Sequence, residues 1–241
     1  MDVSNEQAGY TRQERIAENK TQRLQRWFRD RAGVGFESYG EYMHVGANQT
    51  LVMILIDDLT ITPDMVVLDA GCGLGGNARW LASLYGCRVY GNDIDEDALQ
   101  AATELAEIEN LDDLCTFVNS PADKLDFEDG MFDIVVSTES PYDPSEIQRV
   151  LKPGGRFLLT TYVADPEDSP QDLAREYGME LELSHDVTRL AMAFHRAKHE
   201  EARLMVDAGM IQTKDLVELM NSTIQPYSEG GRHLLMRLHK R

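Results

Sequence analysis

From Met65 onward, short apolar runs rich in β-branched residues alternate with longer stretches of helical character. The predicted strands are 65–69, 88–92, 115–119, 132–138 and 156–163, and the predicted helices between them are 77–85, 96–109 and 144–151. A strand followed by a helix, repeated along a chain, is typical of a parallel sheet with helices on both of its faces. We therefore expect a doubly wound α/β fold.

Further elements are expected on either side of this regular part. After it, the pattern predicts helices over 171–177, 187–208 and 214–220 and strands over 179–184 and 232–239, the last of them near the edge of the sheet. Before it, residues 11–31 predict an amphipathic helix, 33–49 a loop rich in glycine and aromatic residues, and 50–59 a helix. We accordingly expect a mostly parallel, seven-stranded domain over 49–241 and an N-terminal helical extension with a lid-like loop over 1–48.

A glycine-rich turn joins the first predicted strand to its helix, in VVLDAGCGLGGNARWLA (66–82). Gly71, Gly73 and Gly75 allow the backbone to turn sharply and to approach a ligand closely, and the helix that follows presents N–H groups at its first turn. A nucleotide-like cofactor is the expected occupant. The alternative is a tight strand-to-helix turn that binds nothing.

An acidic residue ends the second predicted strand. Asp93 follows Asp69 by 24 residues, which is where doubly wound folds place a carboxylate against a ribose. Such a carboxylate can accept hydrogen bonds from both ribose hydroxyls. The alternative is that Asp93 caps the helix that begins near Asp95.

Four segments of the sequence together resemble one enzyme family. They are DAGCGLGG, GNDID, LDFEDGMFDIVVS and EIQRVLKPGGRFLLTTY. In this order and spacing they resemble the class I S-adenosylmethionine (SAM)-dependent methyltransferases, within the group of tocopherol, ubiquinone, sterol and sarcosine/dimethylglycine methyltransferases. The resemblance covers residues 49–163 closely. NAD-binding domains share the glycine turn and the acid but lack LKPGGR, so a dehydrogenase is not favoured.

The resemblance implies a Rossmann-like methyltransferase fold, SAM as cofactor, and in-line transfer of a methyl group to the nitrogen or oxygen of a small molecule. It also implies the cofactor-binding residues. The glycine turn would line the methionine and ribose, Asp93 the ribose, Ile94 the adenine face, and two residues after the third strand the adenine edge: Asp69, Gly71, Gly73, Gly75, Asp93, Ile94, Ala122 and Asp123. Relatives usually have Asp where this chain has Pro121, so Asp123 is the expected substitute for that contact.

The segment STESPYD (137–143) follows the fourth predicted strand, where relatives place residues between the sulfonium and the acceptor. Glu139 and Tyr142 are therefore the leading catalytic candidates, and Glu139 is also expected to contact the cofactor. A general base is needed only if the acceptor is protonated, and the candidates are His44, Glu139, Asp165 and His185. In simpler interpretations Asp165 is an exposed loop residue, and His185 and Asp186 cap the following helix.

The composition limits the classes of binding partner and the cellular location that we expect. The formal net charge of −19 disfavours nucleic acid, whose phosphates are bound by clustered Lys and Arg. No apolar run reaches the roughly 20 residues of a membrane span, and the polar residues 1–9 lack a secretory pattern, so we expect a cytoplasmic protein with a small-molecule acceptor. His195 and His199 lie four residues apart without a third ligand in view, so no metal is expected.

Several properties stay open at this stage. The protein is expected to be a monomer or a homodimer, and its three cysteines are expected to be reduced thiols because they are odd in number and widely spaced. A nucleic-acid or protein methyltransferase would use the same SAM site. A SAM-binding protein without catalytic activity would also share it.

Overall fold

The computed structural model describes residues 45–138, 140–207 and 230–241, together with residues 209, 212–214, 217 and 227. The helices in this part are α1 Val45–Ile56, α2 Gly76–Tyr85, α3 Glu96–Glu109, α4 Pro144–Val150, α5 Pro170–Glu176 and α6 Thr188–Asp207. The strands are β1 Val66–Ala70, β2 Arg88–Asp93, β3 Cys115–Asn119, β4 Phe132–Ser137, β5 Leu151–Val163, β6 Glu180–Asp186 and β7 Arg232–His239. The predicted N-terminal helix (11–31) and most of the predicted helix 214–220 lie outside the described residues.

The strands form one seven-stranded sheet in the order β3-β2-β1-β4-β5-β7-β6. Strands β1 to β5 pair in parallel, whereas β7 is antiparallel to both of its neighbours, β5 and β6. The prediction of a mostly parallel, seven-stranded sheet is confirmed, and the closing strand β7 lies one position in from the edge. The chain order reverses between β1 and β4, and in open α/β sheets ligands bind in the crevice at this reversal.

Successive residues of the central strands point to opposite faces of the sheet, as strand geometry requires. On β1, Val67 packs in one core with Leu51 of α1 and Leu81 of α2, which defines the α1/α2 face. Val66 and Leu68 pack in a second core with Ile147 of α4, on the opposite face. Helices therefore cover both faces, as predicted, and all five residues of β1 are buried.

Two strand boundaries differ from the prediction by more than one residue. Strand β6 extends to Asp186 because its pairing with β7 continues as far as the pair Asp186↔Leu234. The expectation that His185 follows the sixth strand is therefore wrong: it lies within β6. Strand β5 begins at Leu151, and its register against β4 shifts between the pairs Phe132↔Leu151 and Ile134↔Arg156. The LKPGG segment makes this irregular start.

Helix α2 begins after Gly75, whose φ of 69° lies in the left-handed region. A Cβ atom added at Gly75 would lie 2.5 Å from Cε1 of Phe117 on β3 and 3.2 Å from Cβ of Ala102 on α3. A side chain at this position would therefore strain the backbone and also push apart three packed elements.

We expect Gly75→Ala to destabilise the fold more than Gly154→Ala does. Gly154 has a similar φ of 79°, but a Cβ added there would have no atom within 4 Å, so its substitution measures backbone strain alone, about 1–2 kcal/mol. The clash at Gly75 should add about 1–3 kcal/mol. Urea unfolding of both variants provides the measurement, and equal losses would contradict this account.

Candidate functional site

The glycine turn after β1 is fastened to the end of β2. The backbone N–H groups of Gly71 and Cys72 both donate to the carbonyl oxygen of Asn92, each at 2.9 Å. Gly71 has a φ of 75°, and a Cβ added there would overlap the side chain of Ser140, which follows β4. The turn is thus held between the ends of β2 and β4, at the crevice where the strand order reverses.

Asp93 joins the turn to its own strand through both carboxylate oxygens. Its Oδ2 accepts a hydrogen bond from the N–H of Gly73 at 2.9 Å, and its Oδ1 accepts one from the N–H of Asp95 at 3.0 Å. The N-cap of α3 is Asp95, whose Oδ1 accepts from the N–H groups of Asp97 and Ala98. A carboxylate has about four acceptor positions, so each oxygen of Asp93 can accept one further hydrogen bond.

Asp69 supports the same turn from inside the protein. Its side chain is buried, and its Oδ2 accepts from the N–H of Ala78 in the first turn of α2 at 3.1 Å. Burial raises the pKa of Asp69 to about 7, and the nearby charge of Asp93 contributes in the same direction. The structure thus gives Asp69 a role in positioning α2, while its contact with a cofactor remains a prediction.

The residues expected around an adenine ring follow β2 and β3. Ile94 is 73% exposed and directly follows Asp93, so it offers apolar surface beside the carboxylate. Ala122 is half-buried, and its carbonyl oxygen accepts from the N–H of Asp143 at 3.3 Å, which ties the segment after β3 to the segment after β4. Asp123 is exposed in the same turn. All three lie at the carboxyl edge of the sheet, as the glycine turn does.

The segment after β4 is anchored on both sides. Nδ2 of Asn77, at the start of α2, donates to Oγ1 of Thr138 at 3.1 Å, across the crevice. The Tyr142 ring packs edge-to-face against Phe157 and Tyr177, its hydroxyl lies 3.1 Å from that of Tyr177, and burial raises its pKa. These contacts give Tyr142 a packing role on the α4 face, and contact with an acceptor remains a prediction. Glu139 lies outside the described residues.

The structure describes two of the candidate bases, Asp165 and His185. Asp165 is exposed, and its Oδ1 accepts from the N–H of Glu167 at 2.9 Å, as in a simple polar turn. His185 is exposed on the edge strand β6, four positions from β1 in the sheet, or about 19 Å at the usual strand spacing. Asp186 accepts from the N–H of Thr188 at 2.9 Å and so caps α6. His44 lies outside the described residues.

The structure brings together four aromatic side chains that the sequence did not group. The hydroxyl of Tyr227 lies 2.9 Å from Nδ1 of His233, and the ring centroids of Tyr227 and Tyr162 are 5.6 Å apart at 86°. The rings of His195 and Tyr227 are 5.8 Å apart. We call Tyr162, His195, Tyr227 and His233 the tyrosine–histidine cluster. Only the helical spacing of His195 and His199 was visible in the sequence, because the cluster depends on the pairing of β5 with β7.

Within the described ranges, no three His, Cys, Asp or Glu side chains converge as a metal site would require. None of the helices in this part of the chain is long and apolar enough to cross a membrane.

Comparison with known proteins decides the class of the glycine turn and its acid. Residues 67–155 match the family model described as a methyltransferase domain. This segment, which is less than half of the chain, is similar to methyltransferase domains. It begins in β1 and ends in the LKPGG start of β5, so it contains the glycine turn, Asp93, Ile94 and Ala122. The tyrosine–histidine cluster lies beyond it.

Relatives of the methyltransferase domain act on chemically different molecules. A sterol 24-C-methyltransferase of Gibberella zeae is 36% identical over 152 residues, which are 58% of this chain and 39% of that protein. The glycine/sarcosine/dimethylglycine N-methyltransferase of Actinopolyspora halophila is 33% identical over 164 residues, which are 61% of this chain and 28% of that protein. The chain thus spans well under half the length of these two relatives.

A solved structure shares the fold of the whole described region. It is phosphoethanolamine N-methyltransferase 2 of Haemonchus contortus, determined in complex with S-adenosyl-L-methionine. The sequences are 23% identical, the TM-score is 0.64, and the match covers 80% of this chain and 52% of that one. At this level of identity the likeness establishes the fold.

We expect Asp69→Asn to remove a pH dependence of stability in the methyltransferase domain. The folded-state pKa of about 7 exceeds the unfolded value near 4, so the folded state binds more protons between these limits. The free energy of unfolding should therefore fall as pH rises from 4 to 7, by up to about 1.4 kcal/mol per unit. Asparagine stays neutral throughout and can still accept from the N–H of Ala78.

The measurement is urea unfolding between pH 5 and 7.5 for the wild type and Asp69→Asn. Asp126→Asn, which changes an exposed aspartate, serves as the control and should leave the slope unaltered. Parallel curves for the wild type and Asp69→Asn would show that Asp69 is already ionised in the folded protein.

Proposed function

We propose that this chain is a SAM-dependent methyltransferase that transfers a methyl group to the nitrogen or oxygen of a small molecule. The observation that carries the proposal is the 2.9 Å hydrogen bond from the N–H of Gly73 to Oδ2 of Asp93. This bond holds a backbone turn that a ligand can approach closely beside a carboxylate suited to a ribose, at the crevice of the sheet. A site of this kind suits the sugar of a nucleoside cofactor.

The neighbouring residues fit the other parts of SAM. Ile94 directly follows Asp93 in the chain and offers exposed apolar surface for the adenine ring. Asp93 is half-buried and can accept from the ribose hydroxyls with the acceptor positions that Gly73 and Asp95 leave open. When bound, SAM supplies a methyl group on a positively charged sulfur. The Haemonchus contortus neighbour, which has the same fold, was determined with this cofactor.

The position of the sugar site leaves room for an acceptor at the other end of the crevice. Asp93 ends β2, and the strands follow in the order β2, β1, β4, β5 along the sheet. The carboxyl ends of β4 and β5 are therefore the part of this edge left for the acceptor. Glu139 and Tyr142 follow β4 and remain the leading candidates to touch it. Holding the nucleophile and the methyl group in line should contribute most of the catalysis.

A small acceptor agrees best with the charge of the chain. A net charge of −19 opposes the binding of polyanions, which argues against nucleic acid. The relatives named above methylate a sterol or small amino acids, according to their names. A screen of the purified protein with SAM against amines, phenols and thiols tests the proposal, with release of S-adenosylhomocysteine as the readout. Cofactor binding without product from any acceptor would favour the alternative of a non-catalytic SAM-binding protein.

We expect Asp93→Ala to weaken SAM binding by at least ~1.5 kcal/mol, about tenfold in Kd, because the ribose loses charge-assisted hydrogen bonds. Titration calorimetry measures the change. Asp95→Ala is the matched control, since it removes a neighbouring carboxylate that caps α3 but is not expected to contact the ribose. Equal effects of the two substitutions would mean that Asp93 acts only through the local backbone.

A further inference from the structure

The tyrosine–histidine cluster is assembled from three regions of the chain. Tyr162 lies near the end of β5, His233 near the start of β7, and His195 within α6. Tyr227 is at the centre, because it is hydrogen-bonded to His233 and its ring contacts those of Tyr162 and His195. His233 is buried, whereas Tyr162 is 41% exposed, so the cluster extends from the interior of the protein to its surface.

The cluster lies on the same edge of the sheet as Asp93. Tyr162 is near the carboxyl end of β5, and the antiparallel register places His233 directly opposite it. Three strand spacings separate β5 from β2, the strand that ends at Asp93, which is about 14 Å. This distance is within the span of a cofactor and a small acceptor placed end to end.

The cluster also lies on the same face of the sheet as Asp93. Because side chains alternate along a strand, Asp93 shares a face with Val89, and Tyr162 shares a face with Leu158. Val89 and Leu158 both belong to the core under α1 and α2. Asp93 and the cluster thus lie at the same edge and on the same face of the sheet.

We propose that the tyrosine–histidine cluster is the acceptor subsite and that it takes a small amine, held as an ammonium ion against the ring faces of Tyr162 and Tyr227. This proposal rests on the methyltransferase function proposed above. Tyrosine rings attract cations through their negatively charged faces. The acidic chain, at −19, also favours the approach of cations.

The reaction explains why ring faces suit an amine acceptor. The ammonium ion first loses one proton to water, and its nitrogen lone pair then forms a bond to the methyl carbon. The bond from carbon to sulfur breaks, and its electron pair stays on the sulfur, which becomes neutral. Positive charge therefore moves onto the amine nitrogen in the transition state, and the ring faces of the cluster stabilise it there. A phenol acceptor gains no such charge.

The first experiment separates the ring from the hydroxyl at Tyr162. With an amine that the screen identifies, Tyr162→Phe keeps the face and should retain kcat/KM within about twofold. Tyr162→Leu removes the face and should lower kcat/KM about fivefold to thirtyfold. Leu190→Ala, which trims an exposed side chain of α6, is the control and should change nothing. SAM affinity should be the same in all three variants.

Tyr227 is expected to act as a positioning residue as well. Tyr227→Phe keeps the ring but removes the hydrogen bond to His233, which holds the ring in place. We expect KM for the amine to rise severalfold while kcat is largely kept, with no change in SAM affinity. A fall in thermal stability with unchanged KM would indicate a structural role alone.

A binding experiment tests the subsite even before an acceptor is known. In the presence of S-adenosylhomocysteine, choline should bind at least fivefold more tightly than its uncharged isostere 3,3-dimethylbutan-1-ol, as measured by NMR titration. Tyr162→Leu should abolish this preference, and Tyr162→Phe should keep it. The proposal is overturned if the wild type shows no preference for choline, or if the preference survives in Tyr162→Leu.

The two proposals fail in different ways. If SAM does not bind, the methyltransferase function itself is wrong. If SAM binds and phenols are methylated while amines are not, the function stands and the amine subsite is wrong.

Discussion

The end of β2 is the part of this molecule on which the candidate site depends. The carbonyl oxygen of Asn92 accepts two N–H groups of the glycine turn, and the carboxylate of Asp93 accepts a third from Gly73. These bonds fix a turn that would otherwise be free to adopt many conformations, because glycine restricts the backbone least. They also explain why Asp69 can be buried: the turn folds over it and α2 supplies a hydrogen-bond donor. A ligand that enters meets a preformed surface, so little conformational entropy is lost on binding.

The cofactor side of the crevice could be predicted from the sequence because its determinants are local. The glycines and Asp93 each follow a strand directly, and parallel strands bring their carboxyl ends to one edge whatever the rest of the chain does. The alternation of apolar strands with helices along the chain predicted a parallel sheet with such an edge, and the order of β1 to β5 in the sheet confirms it. The spacing alone left open whether Asp93 or Asp95 caps α3, and in the structure Asp95 is the cap.

The acceptor side could not be predicted in the same way. Tyr162 and His233 meet because β7 inserts antiparallel between β5 and β6, and nothing in the local pattern of either strand encodes that pairing. The sequence predicts that the sixth strand ends at Ser184, which leaves His185 outside it. Pairing with β7 extends the strand to Asp186, so that His185 lies within it. The sequence predicts that Tyr142 lies beside an acceptor, and it gave no sign that the ring packs against Phe157, because that contact joins residues far apart in the chain.

The irregular start of β5 divides the chain into two parts in which amino-acid substitutions are expected to have different effects on binding. Up to LKPGG lie all the residues proposed to hold a nucleoside, and main-chain hydrogen bonds fasten the glycine turn to the end of β2. Beyond it, the remaining aromatic residues come from separate elements and touch mainly through side chains. Substitutions in the second part can thus alter which acceptor binds while the affinity for the nucleoside is unchanged. A single early scaffold could in this way be adapted to sterols in one lineage and to amino acids in another.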